Sequence, residues 1–572
     1  MGGGDSHEPE GIAMKTNITH APEGSEAPEG APALSRRSFI GLGALGALSL
    51  GAAGLAGCAP QSEGQSNAPE GADAASEELP AADRTETCDV AVVGMGVSGV
   101  VASSAAAQAG ANVVGIDCVN SINATNAVNT AGIWAIESAE ELKYDNHLTV
   151  AEMFDFIWSG THYQSNARAL RNLLPASGKA IDLAMEAGAQ FIFPFAEADE
   201  SMGLLNRGGH IWATSGTERG AQLQGCMDQY GVDSRWECEA TSLLLEDGAV
   251  KGVRYVDADG QQIDLEAKSV IVCTGGFIQN IEMVERYFAG ARMYGPGNQR
   301  NDGAGISMAL AAGAQMGKNF STSINESGAC NVNATTRFVG QDYNTTPLHC
   351  LPLLGGLFVN KDGVRFMDEG KMATETMYCA EPLLRESTYY VILDQAEVDE
   401  LMSTPLVDFV APSAYANMAP VVQMSFEGVT LTSTAETLES AVAEGWAWKA
   451  DDIASLAEQA ELPALEATVN AYNEYCASGN DELMYKSVDF LKSVEAGPFY
   501  AVELNVAAWL TLGGIKTDEC CRALDAESNV IDGLFVAGAD GDFWAVPYYE
   551  GGSAQGFCFA SGYLAGTTAA EA

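Results

Sequence analysis

Two phenols stand side by side near the C-terminus, Tyr548 and Tyr549, in the run AVPYYEGGSAQGFCFASGYLAG (545–566), just ahead of the pair Gly551-Gly552. A phenol donates a hydrogen bond to a developing oxyanion without adding a buried charge that must be desolvated. Paired glycines let backbone approach a flat, bulky group. A second chemical signal lies far upstream, in CDVAVVGMGVSGVVASSAAAQAGANVVGID (88–117). An apolar strand over 90–93 runs into Gly94-x-Gly96-x-x-Gly99. A helix follows from about 100 to 109, and a strand over 112–116 ends in Asp117. Gly94 permits the tight turn, Gly96 lets backbone reach a pyrophosphate, and Gly99 lets the helix lie on the strand. N–H groups where the helix begins, at Val97 and Ser98, hold phosphates, and Asp117 binds a ribose hydroxyl.

The rest of the composition narrows the chemistry. The chain has 572 residues, 47% of them apolar, enough for more than one core. With 28 basic and 77 acidic side chains the formal charge is −49. Polyanion binding needs clustered cations, so nucleic acid is excluded as a partner, and a polybasic membrane surface is disfavoured. Thirteen cysteines form no C-x-x-C pattern, and six histidines are scattered. No zinc knuckle, iron–sulfur ligand set or multi-histidine metal site is expected.

The N-terminal segment reads as an address. Arg36-Arg37 and Phe39 precede a Gly/Ala-rich apolar run that ends in Leu55-Ala56-Gly57-Cys58. This resembles a twin-arginine export signal closed by a lipoprotein box, with Cys58 as the acylated residue. An uncleaved anchor helix is the alternative, and either puts the body outside the cytoplasm. Residues 1–57 carry six acidic and three basic side chains, so the remainder keeps a charge of −46. Residues 58–85, rich in Ser, Gly, Ala and Glu, read as a flexible linker.

Blocks further along the chain resemble one family, the FAD flavoproteins that include soluble fumarate reductase and 3-ketosteroid dehydrogenase. They are NTAGIWA (129–135), VIVCTGGFIQNIEM (270–283), NDGAGISMALAAGA (301–314), GLFVNKDGVRFMDE (356–369), LTLGGI (510–515) and GLFVAGADGDFWA (533–545). They stand in the family's order and cover essentially everything after residue 86. The resemblance implies an α/β protein, a Rossmann-like FAD-binding domain with an inserted α+β capping domain. The FAD-binding domain would run over 86–325 and 500–572, and the cap over 326–499, with a helix and loop at 464–484. By resemblance Ala131 and Gly132 lie near the flavin, and Thr274, Gly275, Gly276 and Asp302 line its cleft. Asp540, Ser553, Ala554 and Gln555 close the site, and Ala240 and Thr241 touch the adenine side. No flavin-linking histidine precedes Ala131, so the FAD is expected to be non-covalent.

The resemblance also shows where this chain departs. Fumarate reductases grip substrate carboxylates with arginines and histidines. Here Gly370-Lys371-Met372-Ala373 follows the RFMDE run, Ala507 to Leu510 stand where a histidine is expected, and Tyr549 stands where an arginine is expected. In the ketosteroid enzymes a C-terminal tyrosine binds the carbonyl oxygen. Tyr548 or Tyr549 is therefore expected to stabilise an enolate, with Trp509, Phe543 and Trp544 as flat walls. Tyr378, Tyr343 and His349, the last two near the cap entrance, are the candidate proton donors. The expected activity is reduction of an activated C=C bond in an enone-like or steroid-like acceptor. An external donor, such as a membrane cytochrome, a quinol-linked subunit or a small flavoprotein, would reduce the FAD in an anaerobic respiration. Three alternatives stay open: a ketosteroid-type dehydrogenase running in reverse, an acrylate- or fumarate-type reductase, and a non-catalytic electron-transfer lipoprotein.

Overall fold

The computed structural model describes residues 81–129, 131–144, 147–193, 208–295, 297–322, 329–331, 345–374, 380–418, 423, 426–543 and 552–572. In chain order the first strand, β1 (Arg84–Val93), turns at Gly94 into α1 (Val97–Gln108), which leads to β2 (Val113–Ile116). The helix starts three residues earlier than its apolar run suggests. Gly96 is extended, at φ −69° and ψ −166°, and acts as its N-cap. Ten consecutive residues of α1, Val97 to Ala106, are buried, so it is packed on every side rather than on one face.

Around β1 a mixed sheet with a parallel centre assembles. β3 (Gly132–Trp134), β4 (Phe191–Ile192) and β5 (Gly209–Trp212) form a separate three-stranded sheet, linked through α2 (Ala167–Glu186). α3 (Gly216–Tyr230) then leads to β6 (Asp233–Arg235), the hairpin β7 (Glu239–Glu246) and β8 (Ala249–Val256), and β9 (Gln262–Val272). The main sheet runs β18 (Arg522–Leu524), β19 (Val530–Val536), β9, β1, β2, β6, with the β7–β8 hairpin attached to β9. β1 pairs in parallel with both β2 and β9, so the turns after all three strands open at the same edge. In such sheets ligands bind beyond the C-terminal strand ends.

The second sheet gathers β10 (Met293–Tyr294), which precedes α4 (Ala304–Ala311), with β12 (Ala329–Cys330), β13 (Leu357–Val359), β14 (Thr388–Asp394), β15 (Ala447–Ala450) and β16 (Phe499–Ala507). The remaining short strand before the cap, β11 (Ser321–Thr322), pairs with β17 (Thr511–Leu512). β16 is the centre of the second sheet, pairing with β10, β12, β14 and β15. By hydrogen bonding the second sheet therefore takes in β10 and, past Phe499, the rest of β16, on either side of 326–499. The cap helix α5 (Leu465–Ser478) buries Leu465, Val469 and Tyr472.

The chain returns to the first sheet through β18 (Arg522–Leu524) and β19 (Val530–Val536) and ends in α6 (Ser553–Glu571). Small residues let α6 lie close on α1. A Cβ at Gly562 would come within 2.6 Å of Ser98 O, and one at Gly566 would collide with Ala102 O.

A buried ionic cluster ties the cap together. Arg365 donates from Nε and Nη2 to both oxygens of Glu369, at 2.7 Å each, and from Nη1 and Nη2 to Asp481, at 3.0 and 2.8 Å. Lys486 donates to Gly356 O at 3.0 Å and Tyr472 Oη at 2.8 Å, and lies 3.5 Å from Glu369. Two cations and two anions balance, with every member buried. Asp481 also accepts from the N–H groups of Leu483, Met484 and Lys486, which folds the loop after α5 against β13.

Candidate active site

The turn after β1 is shaped by its glycines in three different ways. At Gly94, φ is +94°, the left-handed region, and a Cβ would collide with Cys273 O in the neighbouring turn. At Gly99 a Cβ would collide with Gly94 O. At Gly96 a Cβ would have no atom within 4 Å, and Gly96 is half-buried while its neighbours are buried. The open space at Gly96 is a cradle that a side chain would fill and a pyrophosphate can use, beside the N–H groups where α1 starts. The residues present therefore fit an FAD.

Asp117 ends β2 and stays half-buried. Its carboxylate accepts from Met95 N at 2.6 Å and Val119 N at 3.1 Å, which holds it over the same turn. Thr274 and Gly275, after β9, are also half-buried, and Gly275 and Gly276 have φ of +99° and +80°. Ala131 and Gly132 open β3 and are half-buried. Ala240 and Thr241 line a cavity of about 380 Å³ between β7 and α4, opposite Ser307 and Met308. Asp302 lies just before α4, where its Oδ1 accepts from Ala304 N at 3.1 Å. The Gly94–Gly99 turn, Asp117 and the Thr274–Gly276 turn thus lie at the C-terminal ends of β1, β2 and β9, while Ala131 and Gly132 open β3 in the separate sheet and Ala240 and Thr241 lie at the start of β7.

Asp540 is different. It has no exposed surface, and its carboxylate accepts from Thr274 N, Thr274 Oγ1 at 2.9 Å and Gly276 N at 2.8 Å. Burial pushes its pKa up, against the pull of these donors. These hydrogen bonds hold the Thr274–Gly276 turn in place. Ser553, Ala554 and Gln555 form the first turn of α6 behind the N-cap Gly552, each at most 8% exposed. Gln555 Oε1 accepts from Trp212 Nε1 at 3.2 Å, which fastens this turn to β5. Trp134 supports it from below: a Cβ at Gly556 would lie 2.7 Å from its ring.

The stretch that the resemblance sets on the substrate side is described in part. Ala507, Ala508 and Trp509 are buried and Leu510 is half-buried, followed by Thr511, whose Oγ1 accepts from Phe277 N at 2.8 Å. No arginine, histidine or lysine occurs from 507 to 515. Arg365 uses all three guanidinium nitrogens on Glu369 and Asp481. His349, expected near the cap entrance, lies instead in the interior, 2% exposed, with its ring 6.4 Å from Trp446. Burial lowers its pKa to about 4, so it is a neutral imidazole at neutral pH. Phe543 is buried. Tyr343, Tyr378, Trp544, Tyr548 and Tyr549 lie outside the described residues, as does the address segment with Cys58.

One residue that the sequence left unmarked is Asn126. Its side chain touches Asn129, Asn298 and Trp509, and the motif around it offers no spacing that would single it out.

Comparison with known proteins decides the family. The model described as FAD binding domain matches residues 89–555. This chain belongs to that family. Vinyl phenol reductase from Lactiplantibacillus plantarum is 26% identical over 505 residues, covering 85% of this chain and 97% of that protein. Digoxin reductase from Eggerthella lenta is 24% identical over 544 residues, covering 88% and 91%. Among solved structures, 3-ketosteroid delta1-dehydrogenase from Sterolibacterium denitrificans superposes with a TM-score of 0.61 at 17% identity, over 85% of this chain and all of that one. The open flavocytochrome c3 fumarate reductase superposes with a TM-score of 0.57 at 22% identity, over 85% of this chain and 78% of that one. The fold is the FAD-binding α/β fold with a capping domain, the cofactor is FAD, and the protein is an FAD-dependent oxidoreductase acting on CH–CH or C=C bonds.

Proposed function

We propose that this flavoprotein reduces the activated C=C bond of a neutral, conjugated acceptor, enone-like or vinyl-arene-like, rather than a dicarboxylate. Bound and reduced, the FAD supplies a hydride from N5 to the β-carbon of such a bond. The observation that carries the choice of substrate is the wall Ala507-Ala508-Trp509-Leu510, which offers no cation, while Arg365 is fully engaged elsewhere. A dianion placed against that wall would lose its hydration without a compensating charge, whereas a neutral ring system loses little. The long coverage of relatives named for a vinyl phenol and for digoxin supports the same class.

Tyr548 or Tyr549 donates a hydrogen bond to the oxygen on which charge develops, and the α-carbon takes its proton from a second donor. The reading places the body outside the cytoplasm, tethered through lipidated Cys58, and the Arg36-Arg37 run and the 55–58 box support it. Electrons then reach the FAD from an external donor, a membrane cytochrome or quinol-linked subunit.

Anaerobic turnover with reduced methyl viologen tests this. 4-Vinylphenol, 4-androstene-3,17-dione and fumarate are offered in turn to the FAD-loaded protein. At least one neutral acceptor should be reduced at least tenfold faster than fumarate. Tyr548→Phe/Tyr549→Phe should lower that rate by 10²–10³ while FAD content holds, the usual cost of an oxyanion donor. Turnover with fumarate as the best acceptor would overturn the proposal, and a silent double variant would overturn the role of the phenols.

A further inference from the structure

We propose that Asn126 is a positioning residue that fastens the wall of the substrate site to the loop after β10, so that the cofactor side and the substrate side hold one register. Asn126 lies between β2 and β3, capped by Thr125, whose Oγ1 accepts from Ala127 N at 3.2 Å. Its amide works in two directions. Oδ1 accepts from Asn298 N at 2.7 Å and from Asn129 Nδ2 at 3.3 Å. Nδ2 donates to Trp509 O at 3.3 Å, 383 residues away in sequence.

Each arm has its own structural content. On the acceptor arm, Gly297 approaches so closely that a Cβ there would collide with Asn126 Oδ1. Gln299 Nε2 closes the same loop onto Gly295 O at 3.3 Å and Gly297 O at 3.0 Å. Two residues on, Asn301 lies against Gly275: a Cβ there would be 3.0 Å from Asn301 Oδ1. The loop thus runs from Asn126 to the turn after β9. On the donor arm, Trp509 is 2% exposed, and its carbonyl precedes Leu510 and the Thr511 that supports Phe277. An amide suits this place because it accepts on one side and donates on the other. An ionised carboxylate cannot donate, and a hydroxyl carries its donor and acceptor on one oxygen rather than on two atoms facing opposite partners.

Asn126→Asp separates the arms. It keeps an oxygen facing Asn298 N but sets a second oxygen against Trp509 O. Asn126→Ala removes both arms, and Gly297→Ala displaces the acceptor arm from the other side. Hydrogen exchange on the oxidised holoprotein reads the result without any substrate. In Asn126→Asp, amides over 507–512 should exchange about tenfold faster, the size expected for one lost buried hydrogen bond, while 297–302 stays within about twofold. In Asn126→Ala both segments should speed up, and FAD should be retained less well on gel filtration. In Gly297→Ala, 297–302 should speed up first. The proposal is overturned if Asn126→Asp leaves 507–512 unchanged, or if it loosens both segments equally. If Asn126→Ala fails to fold, Asn126→Asp and Gly297→Ala still decide, because each spares one arm.

Discussion

Replacing Arg365 by methionine isolates the cost of the buried cap network. The substitution keeps most of the aliphatic volume and removes the guanidinium. Glu369, with no exposed surface, then keeps only Lys486 at 3.5 Å as a counter-charge, and Asp481 loses its side-chain partner altogether. Breaking a buried ion pair from one side costs about 3–5 kcal/mol, because the remaining charge is left uncompensated. For a unit the size of the cap this is a fall in Tm on the order of 10 °C. The reference variant is Arg168→Met, which removes a surface pair with Glu519 and should cost at most about 1 kcal/mol. Differential scanning calorimetry of the two FAD-loaded variants against wild type gives both shifts. A second arm uses acid. Asp481 has its pKa lowered to about 2, with Arg365 and the backbone N–H groups outweighing burial. A folded pKa below the unfolded value contributes stability that is present above pH 4 and is lost as pH falls from about 4 to about 2. That acid-induced loss should shrink in Arg365→Met. If Arg365→Met and Arg168→Met shift Tm alike, the network does not stabilise the cap as described.

Three further predictions follow from the site. Gly96→Ala should fold with a near-normal Tm of the apoprotein yet emerge depleted of flavin, because its Cβ meets no protein atom and intrudes only on the ligand space; Gly99→Ala should fail to fold, and absorbance at 450 nm per protein separates the two. Asp540→Asn sets an amide donor against Thr274 N or Gly276 N and should cost about 2–3 kcal/mol along with FAD retention, read by thermal unfolding and flavin content. Asp542 has its pKa pushed up to about 6 by burial. A folded pKa above the unfolded one means that ionisation penalises folding, so wild-type Tm should decline between about pH 4 and 6 through this group. Asp542→Asn should flatten that part of the Tm–pH profile, and an unchanged slope would contradict it.

Local signals made the nucleotide half of the fold legible. The strand, the glycine turn and the helix at 90–109 are contiguous; Gly94 and Gly99 are required by close backbone, and Gly96 faces open space. The helix start moved only because Gly96 caps it. The helix in the cap was also readable, and appears as Leu465–Ser478. The centre of the cap sheet was not. β16 lies where the chain was expected to have returned to the first domain, because its pairing with β14 spans about a hundred residues and no local pattern reports partners that distant. The same limit hid the chemistry between segments. Arg365 meets Asp481 across 116 residues, Asp540 meets Thr274 across 266, and Asn126 meets Trp509 across 383. Asp540 was expected in the site by resemblance alone; its full burial was not readable, because it depends on the turn it holds. His349 sat in a polar-looking stretch, and only its ring beside Trp446, with its chain neighbours Leu348, Cys350 and Leu351 also buried, shows that it is interior.

The most direct test of the substrate class is a single-turnover measurement. FAD-loaded protein is reduced anaerobically with one equivalent of dithionite and mixed with 4-vinylphenol, with 4-androstene-3,17-dione or with fumarate while the flavin band near 450 nm is followed. The proposed wall of Ala507, Ala508, Trp509 and Leu510 predicts rapid return of the oxidised band with a neutral acceptor and little return with fumarate. Rapid return with fumarate alone would contradict it.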